Sequence, residues 1–190
     1  MHKKFLKKYY FIDKFNKRNL DKQSKNTTII YRNYKKNYDL KEILNLKNYC
    51  RKKKLKFLIS NNLKLSIKLN LDGAYIPSFN SSFKHLSYKF KKNFILLGSA
   101  HNLKEIRVKE IQKIDLIFLS SIFKENKNFL GINKFNLVSE FSKNPIVALG
   151  GISQNNEKLI RLTKAEGIAG ISYIENKKKG PWKGALLYSI

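Results

Sequence analysis

Apolar residues along this chain gather into short, nearly continuous runs. These are Tyr9 to Ile12, Thr27 to Tyr31, Leu55 to Ser60, Gly73 to Ile76, Phe94 to Leu97, Leu116 to Leu119, Ile146 to Ile152 and Gly167 to Ser172. Such runs read as strands buried on both faces, because a half-exposed strand would alternate apolar with polar residues. Between them lie segments with helical spacing. Asp39 caps a predicted helix reaching about Lys52, with Leu40, Ile43, Leu44 and Leu46 on its apolar stripe. Leu63 to Leu69, Asn102 to Lys113 and Asn133 to Ser142 read as further helices. Ser153 to Lys164 reads as another, with Ser153 as N-cap and Leu159, Ile160 and Leu162 turned inward. Pro181 stands where a last helix would begin, with Trp182, Leu186 and Leu187 on its buried side.

Strands alternating with helices at intervals of about 20 to 25 residues predict a parallel sheet with helices outside. An open flavodoxin-like sheet uses about five or six strands and a closed barrel uses eight, so the pattern points to an α/β fold, a single (β/α)8 barrel. The 190 residues fall slightly below the usual range for that fold. The barrel is therefore expected to be compact, with helices of only a turn or two between Asp13 and Thr27 and between Ser78 and Asn93. No linker, repeat or low-complexity boundary divides the chain, so residues 1–190 read as one domain.

Composition narrows the class. An apolar fraction of 42% is ordinary for a globular domain. One cysteine, Cys50, excludes an intramolecular disulfide and a cysteine-rich metal site. No apolar stretch approaches the roughly 18 to 20 residues needed to span a bilayer, and Tyr9 to Ile12 is too short for a signal-peptide core. The expected location is the cytoplasm, with no membrane partner. The net charge of +27 invites an RNA-binding reading. Against it, lysines occur in every segment and arginine, the usual leader in specific phosphate recognition, is scarce. The charge thus reads first as lysine-rich composition.

In barrels of this type the chemistry sits just past the C-terminal ends of the strands. Here those positions hold Arg32, Asn61 and Asn62, Ser78 to Asn80, Ser99 and His101, Ser120 to Lys127, Gly150-Gly151, Ile171 and Ser172. They offer cations, amides, hydroxyls and one imidazole, without a carboxylate pair. Glycosidase-type and carboxylate-metal chemistry is poorly supported, and an anionic, phosphorylated ligand fits better. Asp72 and Asp115 precede strands and belong to the opposite, structural face. His101 either completes the turn before its helix or meets a ligand. Gly150-Gly151 either serves tight packing or admits a close ligand, as the Gly-Gly and Gly/Ser turns after the last two strands do in phosphate-binding barrels.

In their order and spacing, several segments resemble the thiamine-phosphate synthase/TenI superfamily over nearly the whole chain. They are Tyr-Tyr-Phe-Ile-Asp at 9 to 13, Ile-Ile-Tyr-Arg-Asn-Tyr at 29 to 34, Leu-Ile-Ser-Asn-Asn at 58 to 62 and Asp-Gly-Ala-Tyr-Ile-Pro at 72 to 77. Ser-Ala-His at 99 to 101, Ser-Ser-Ile-Phe at 120 to 123, Val-Ala-Leu-Gly-Gly-Ile at 147 to 152 and Ala-Glu-Gly-Ile-Ala-Gly-Ile-Ser at 165 to 172 complete the series. The resemblance implies a (β/α)8 barrel that joins hydroxymethylpyrimidine diphosphate to thiazole phosphate and releases pyrophosphate, with Mg2+ holding the diphosphate. It implies Arg32 and Asn61 on the diphosphate and pyrimidine side, Lys127 near the leaving pyrophosphate, and Ser99, His101 and Ser121 lining the substrate. Gly150, Gly151, Ile171 and Ser172 would then hold the thiazole phosphate.

The departures lie at one end. Asn62 and Asn80 occupy the positions of the family's magnesium-binding aspartates, and neutral amides are poorer ligands for a hard dication. Ile30 replaces a glutamine, Lys124-Glu125-Asn126-Lys127 replaces a Thr-Pro-Thr-Lys loop, and Ser121 stands where the tautomerase branch needs a histidine. A divergent TenI-like branch fits this pattern better than a standard synthase. The expectation is a thiamine-biosynthesis transferase of the synthase type. The alternatives are a non-catalytic or altered-activity binder of thiazole phosphate, and a basic RNA-binding protein. A homo-oligomer is compatible with all three.

Overall fold

A parallel strand must pair along both edges and be covered on both faces, and eight such strands meet this demand by closing on themselves. The computed structural model describes residues 6–34 and 39–175, and it shows such a closed barrel. The strands are β1 (Lys7–Ile12), β2 (Thr27–Tyr31), β3 (Lys56–Ser60), β4 (Gly73–Ile76), β5 (Ile95–Ala100), β6 (Leu116–Ser120), β7 (Ile146–Leu149) and β8 (Gly167–Gly170). Each pairs in parallel with the next, and β8 returns to β1 through Lys7↔Gly167 and Tyr10↔Gly170. Helices α1 (Lys17–Asp21), α2 (Leu40–Lys52), α3 (Leu63–Lys68), α4 (Leu103–Ile111) and α5 (Gly131–Glu140) lie in the crossovers, with 3-10 turns at Lys84–Ser87 and Glu157–Leu162.

Alternation along each strand divides its side chains between two environments. Tyr9 and Phe11, Ile30, Leu58, Tyr75, Leu97, Leu116 and Phe118, Val147 and Ala169 fill the barrel interior. Tyr10 and Ile12, Ile29 and Tyr31, Phe57 and Ile59 face the helices instead. The interior is dominated by rings. Phe118 packs on Tyr9, Phe11 and Tyr75 at centroid distances of 4.9, 5.7 and 5.6 Å. This stack closes the middle of the barrel, so any ligand must sit above it.

Asp39 caps α2 as its sequence predicts, accepting from Lys41 N and Glu42 N at 2.9 and 3.2 Å. The buried side of α2 is Ile43, Leu46 and Cys50, while Leu40 and Leu44 of the predicted stripe are exposed. The short elements after Asp13 and Ser78 are α1 and the first 3-10 turn. Four segments differ from expectation, one of them β8, which stops at Gly170 and leaves Ile171 and Ser172 in the following turn. Strand β7 stops at Leu149, before the glycines, and β5 runs on through Ala100, taking Ser99 into the strand. The regular helix expected over Ser153 to Lys164 is a 3-10 turn, and Ser153 does not cap it. Asn156 accounts for this, because its side chain accepts from Ser153 N at 2.8 Å and donates to Gly151 O at 3.0 Å. Asparagine thus draws the backbone into a turn that competes with a helix. Within the 3-10 turn only Ile160 is buried, and Leu162 is exposed rather than inward. The helix expected from Pro181 lies outside the described residues.

Asp72 and Asp115 sit at the N-terminal face, as anticipated. Asp72 Oδ2 accepts from Phe57 N at 2.8 Å and Asp115 Oδ2 from Leu96 N at 2.7 Å. Each carboxylate satisfies the N–H of the second residue of a neighbouring strand.

Candidate active site

Continuing the period of two past the aromatic stack places Arg32, Ser60, Ser99 and Ser120 inward at the C-terminal mouth. The Arg32 guanidinium lies over the Phe11 ring, 4.7 Å from its centroid, and its backbone N donates to Ile12 O at 2.7 Å. A cation on an aromatic face inside the rim is well placed to meet an anion from above.

Beside it, Asn61 has φ +57°, a left-handed turn that asparagine tolerates. This turn aims the Asn61 side chain at Asn80, whose Nδ2 donates to Asn61 Oδ1 at 2.6 Å. Asn62 has a different duty, because its Oδ1 caps α3 by accepting from Leu65 N at 3.0 Å. Two exposed rings, Tyr34 and Phe79, the latter preceding Asn80 in the chain, meet edge to face at 5.6 Å. The Tyr34 hydroxyl lies 3.2 Å from Ser60 Oγ.

Ser99 is almost fully buried, and its Oγ accepts from Ser78 N at 3.0 Å, tying the loop after β4 to β5. His101 serves the turn before α4. Its Nδ1 donates to Glu105 Oε2 at 2.8 Å, its backbone N donates to the same oxygen, and Glu105 N returns a bond to Asn102 Oδ1. This is a variant of the capping box, with Glu105 reaching the N–H of the residue before the Asn102 cap rather than that of the cap itself.

The loop after β6 turns on Ser121, whose Oγ donates to Lys124 O at 2.9 Å and accepts from Lys124 N at 3.1 Å. Gly150 and Gly151, at φ +101° and +76°, pack against it. A Cβ on Gly150 would meet Ser121 Oγ, and one on Gly151 would meet the backbone of Phe123 and Lys124. Tight packing therefore accounts for both glycines. Lys127 is exposed on the same loop, Ile171 is exposed beyond β8, and Ser172 is half-buried next to it. The expected residues thus form two banks around one mouth. Arg32, Asn61, Asn80 and Ser99 stand on the β2–β5 side, and the Ser121–Lys127 loop with the Gly150-Gly151 and Ile171-Ser172 turns stands on the other.

Residues 19–174 match the model of the thiamine monophosphate synthase (TMP-TENI) family. The chain belongs to this family. It is 31% identical over 139 residues to the thiamine-phosphate synthase of Pelagibacter ubique, covering 70% of this chain and 67% of that relative. With the thiamine-phosphate synthase of Latilactobacillus sakei it shares 29% identity over 138 residues, covering 70% and 62%. The solved thiamine phosphate pyrophosphorylase from Pyrococcus furiosus superposes with a TM-score of 0.73 at 22% identity, covering 91% of this chain and 89% of that one. At that identity the likeness speaks for the barrel fold.

Members of the thiamine monophosphate synthase family are expected to hold Mg2+, and the residues here do not fit it. Asn80 Oδ1 accepts from Ser82 N at 2.9 Å, Asn61 Oδ1 takes the Asn80 amide, and Asn62 Oδ1 caps α3. The loop's backbone oxygens are engaged as well. Lys109 Nζ donates to Pro77 O, Asn80 O and Gln112 Oε1, each at 2.8 Å. Gln112 Nε2 donates to Asn80 O and Ser82 O, each at 2.9 Å. Among the described residues no cluster of three or more His, Cys, Asp or Glu is placed to hold a metal. A hard dication would meet amide oxygens already accepting, with an ammonium directly behind them.

Lys109 and Gln112 escaped the sequence reading. Lys109 is the one buried lysine among the described residues, and burial pushes its pKa down to about 8. It occupies the inward side of α4 beside Ile106, and Gly98 leaves room for its stem, since a Cβ there would lie 3.0 Å from Lys109 Cδ. The one available signal was a lysine at a core position of α4, in a chain where lysine is the commonest polar residue. Tyr34 and Phe79 fall in the segments 29 to 34 and 78 to 80, but their pairing was not legible because single aromatics in loops carry no pattern.

Proposed function

We propose that this protein is a thiamine-phosphate synthase, acting as a single barrel domain over residues 1–190 in the cytoplasm. Family membership supports this reading, and so does the two-banked mouth with a cation at its floor. In this reaction the bond from the pyrimidine methylene to the diphosphate oxygen breaks, and its electron pair leaves with pyrophosphate. The thiazole nitrogen then gives its lone pair to the methylene carbon, forming the C–N bond of thiamine phosphate.

Each residue has a share in that chemistry. Arg32, held on Phe11, balances the charge of the leaving pyrophosphate, and Lys127 and Lys124 add mobile positive charge at the rim. Asn61 presents its amide to the pyrimidine side, with Asn80 fixing its orientation at 2.6 Å. The Tyr34–Phe79 pair offers an aromatic face to the electron-poor pyrimidine. The Gly150-Gly151 and Ile171-Ser172 turns, at the barrel's usual phosphate position, hold the thiazole phosphate. No helix among the described residues is long and apolar enough to cross a membrane.

The test supplies hydroxymethylpyrimidine diphosphate and thiazole phosphate together and measures thiamine phosphate and pyrophosphate. Both should appear in equal amounts, and Arg32→Met should lower the rate at least about a hundredfold, the scale of one oriented cation or oxyanion donor. Saturable binding of both substrates without turnover would instead establish the second reading, a TenI-like binder. The engaged amides at the metal end favour that alternative. Gly151→Asp is a poor probe, since its side chain would unseat the neighbouring loop before meeting any ligand.

A further inference from the structure

We propose that this barrel binds the diphosphate end of its ligand without a divalent cation, the fixed charge of buried Lys109 doing from behind the β4 loop what a bound metal would do from within the mouth. The inference rests on the reading above that the β2–β4 side of the mouth receives the anion.

Three observations converge on it. The positions from which carboxylates would reach a metal are Asn62 and Asn80, and each side-chain oxygen already accepts a backbone hydrogen bond. The carbonyls of Pro77, Asn80 and Ser82 are turned toward α4 by Lys109 and Gln112, so the loop shows its acceptors to the protein. The ammonium that turns them is buried with three neutral acceptors and no carboxylate among its hydrogen-bond partners. The Glu105 carboxylate acts on this ammonium from one turn away but is itself bonded to His101. A buried charge met mainly by dipoles projects its field with less screening than an exposed one. That field favours an anion above the Asn61–Asn80 clasp and opposes a second cation there. Arg32 adds a positive charge on the same side of the mouth.

The architecture also makes Lys109 a positioning residue. It sets the loop carrying Asn80, and Asn80 sets the Asn61 amide. His85 continues the brace, its Nε2 donating to Gln112 O at 2.8 Å.

The probe is inorganic pyrophosphate, titrated calorimetrically into the whole protein in EDTA and again with excess Mg2+. Pyrophosphate should bind in EDTA, and Mg2+ should not tighten it. Binding that requires Mg2+, or tightens about tenfold or more with it, overturns the inference. Lys109→Met should weaken binding in EDTA by about tenfold or more, and unchanged affinity in the folded variant removes Lys109 from the account. Lys109→Gln tests the charge separately from the loop's hydrogen bonds, because its amide keeps a donor for the Pro77 and Asn80 carbonyls while carrying no charge. It too should lose about tenfold in EDTA, and it decides the matter if Lys109→Met does not fold. The double variant Asn62→Asp/Asn80→Asp should bind pyrophosphate poorly in EDTA and regain affinity with Mg2+, whereas metal-free binding equal to the parent counts against the field argument. Parallel turnover measurements keep the two readings apart. Metal-free binding without product leaves this inference standing and fails the synthase, while product formed only with Mg2+ does the reverse.

Discussion

A residue's environment decides whether its chemistry is available, and Cys50 and Lys109 illustrate opposite outcomes of burial. Cys50 lies fully buried on the inner side of α2, where loss of hydration, aided by Asp72, pushes its thiol up to about 12. The folded thiol therefore holds its proton through the range where an unfolded one, near 9, loses it. A raised acid pKa gives stability that is complete below about 9 and declines as pH climbs toward 12. At pH 8.5 the native protein should resist a maleimide for hours and react at once in denaturant. Rapid native labelling, rising between pH 8 and 10, would mean that the thiol reaches solvent. Burial of Lys109 is different because three oxygens meet its protons. Such residues resist reading from sequence. Arg32 and Asn61 were legible because each follows a buried run at a strand end. Lys109 was not, because its role depends on a helix face, on Gly98 and on a loop about thirty residues earlier in the chain.

Elements were more legible than residues, and the physical reason is local. Runs such as Ile29-Ile30-Tyr31 and Leu58-Ile59 can satisfy their apolar faces only as strands covered on both sides, whatever the rest of the chain does. Caps carry the same local information, since Asp39, Asn62 and Asn102 each accept from the first turn of a helix. The Ser153–Lys164 segment failed because Asn156 supplied a stronger local alternative than the apolar spacing. Where a carboxylate begins a strand the consequence is testable. Asp115→Ala leaves Leu96 N without its 2.7 Å acceptor at the base of β5, far from the mouth. It should cost about 2 kcal/mol in denaturant unfolding, the scale of a hydrogen bond to a charged group. Pyrophosphate affinity should be unchanged. Loss of ligand binding at full stability would show that this face communicates with the site.

At the scale of the whole molecule, the closed barrel separates two kinds of positive charge. One kind is placed: Arg32 is pinned on Phe11, and Lys109 is held by three bonds under the β4 loop. The other is the exposed remainder of a chain whose net charge is +27, including Lys22 and Lys25, Lys53 and Lys54, Lys91 and Lys92, Lys113, Lys143 and Lys164 in the turns that follow helices. Lysine near a helix C-terminus complements the helix dipole, so its recurrence there has a structural cause that needs no polyanion partner. The two populations should respond differently to salt. Solvated lysines hold RNA by releasing condensed counterions, and that binding should fall by about a thousandfold or more between roughly 50 and 200 mM salt, without sequence preference. Charges set in a low-dielectric wall are screened far less, so pyrophosphate affinity should change only severalfold over the same range. Measuring both ligands on one preparation, by fluorescence anisotropy for RNA and calorimetry for pyrophosphate, gives the comparison directly. RNA binding that persists at high salt and is competed by pyrophosphate would instead place the polyanion in the barrel mouth, making the excess charge part of the site.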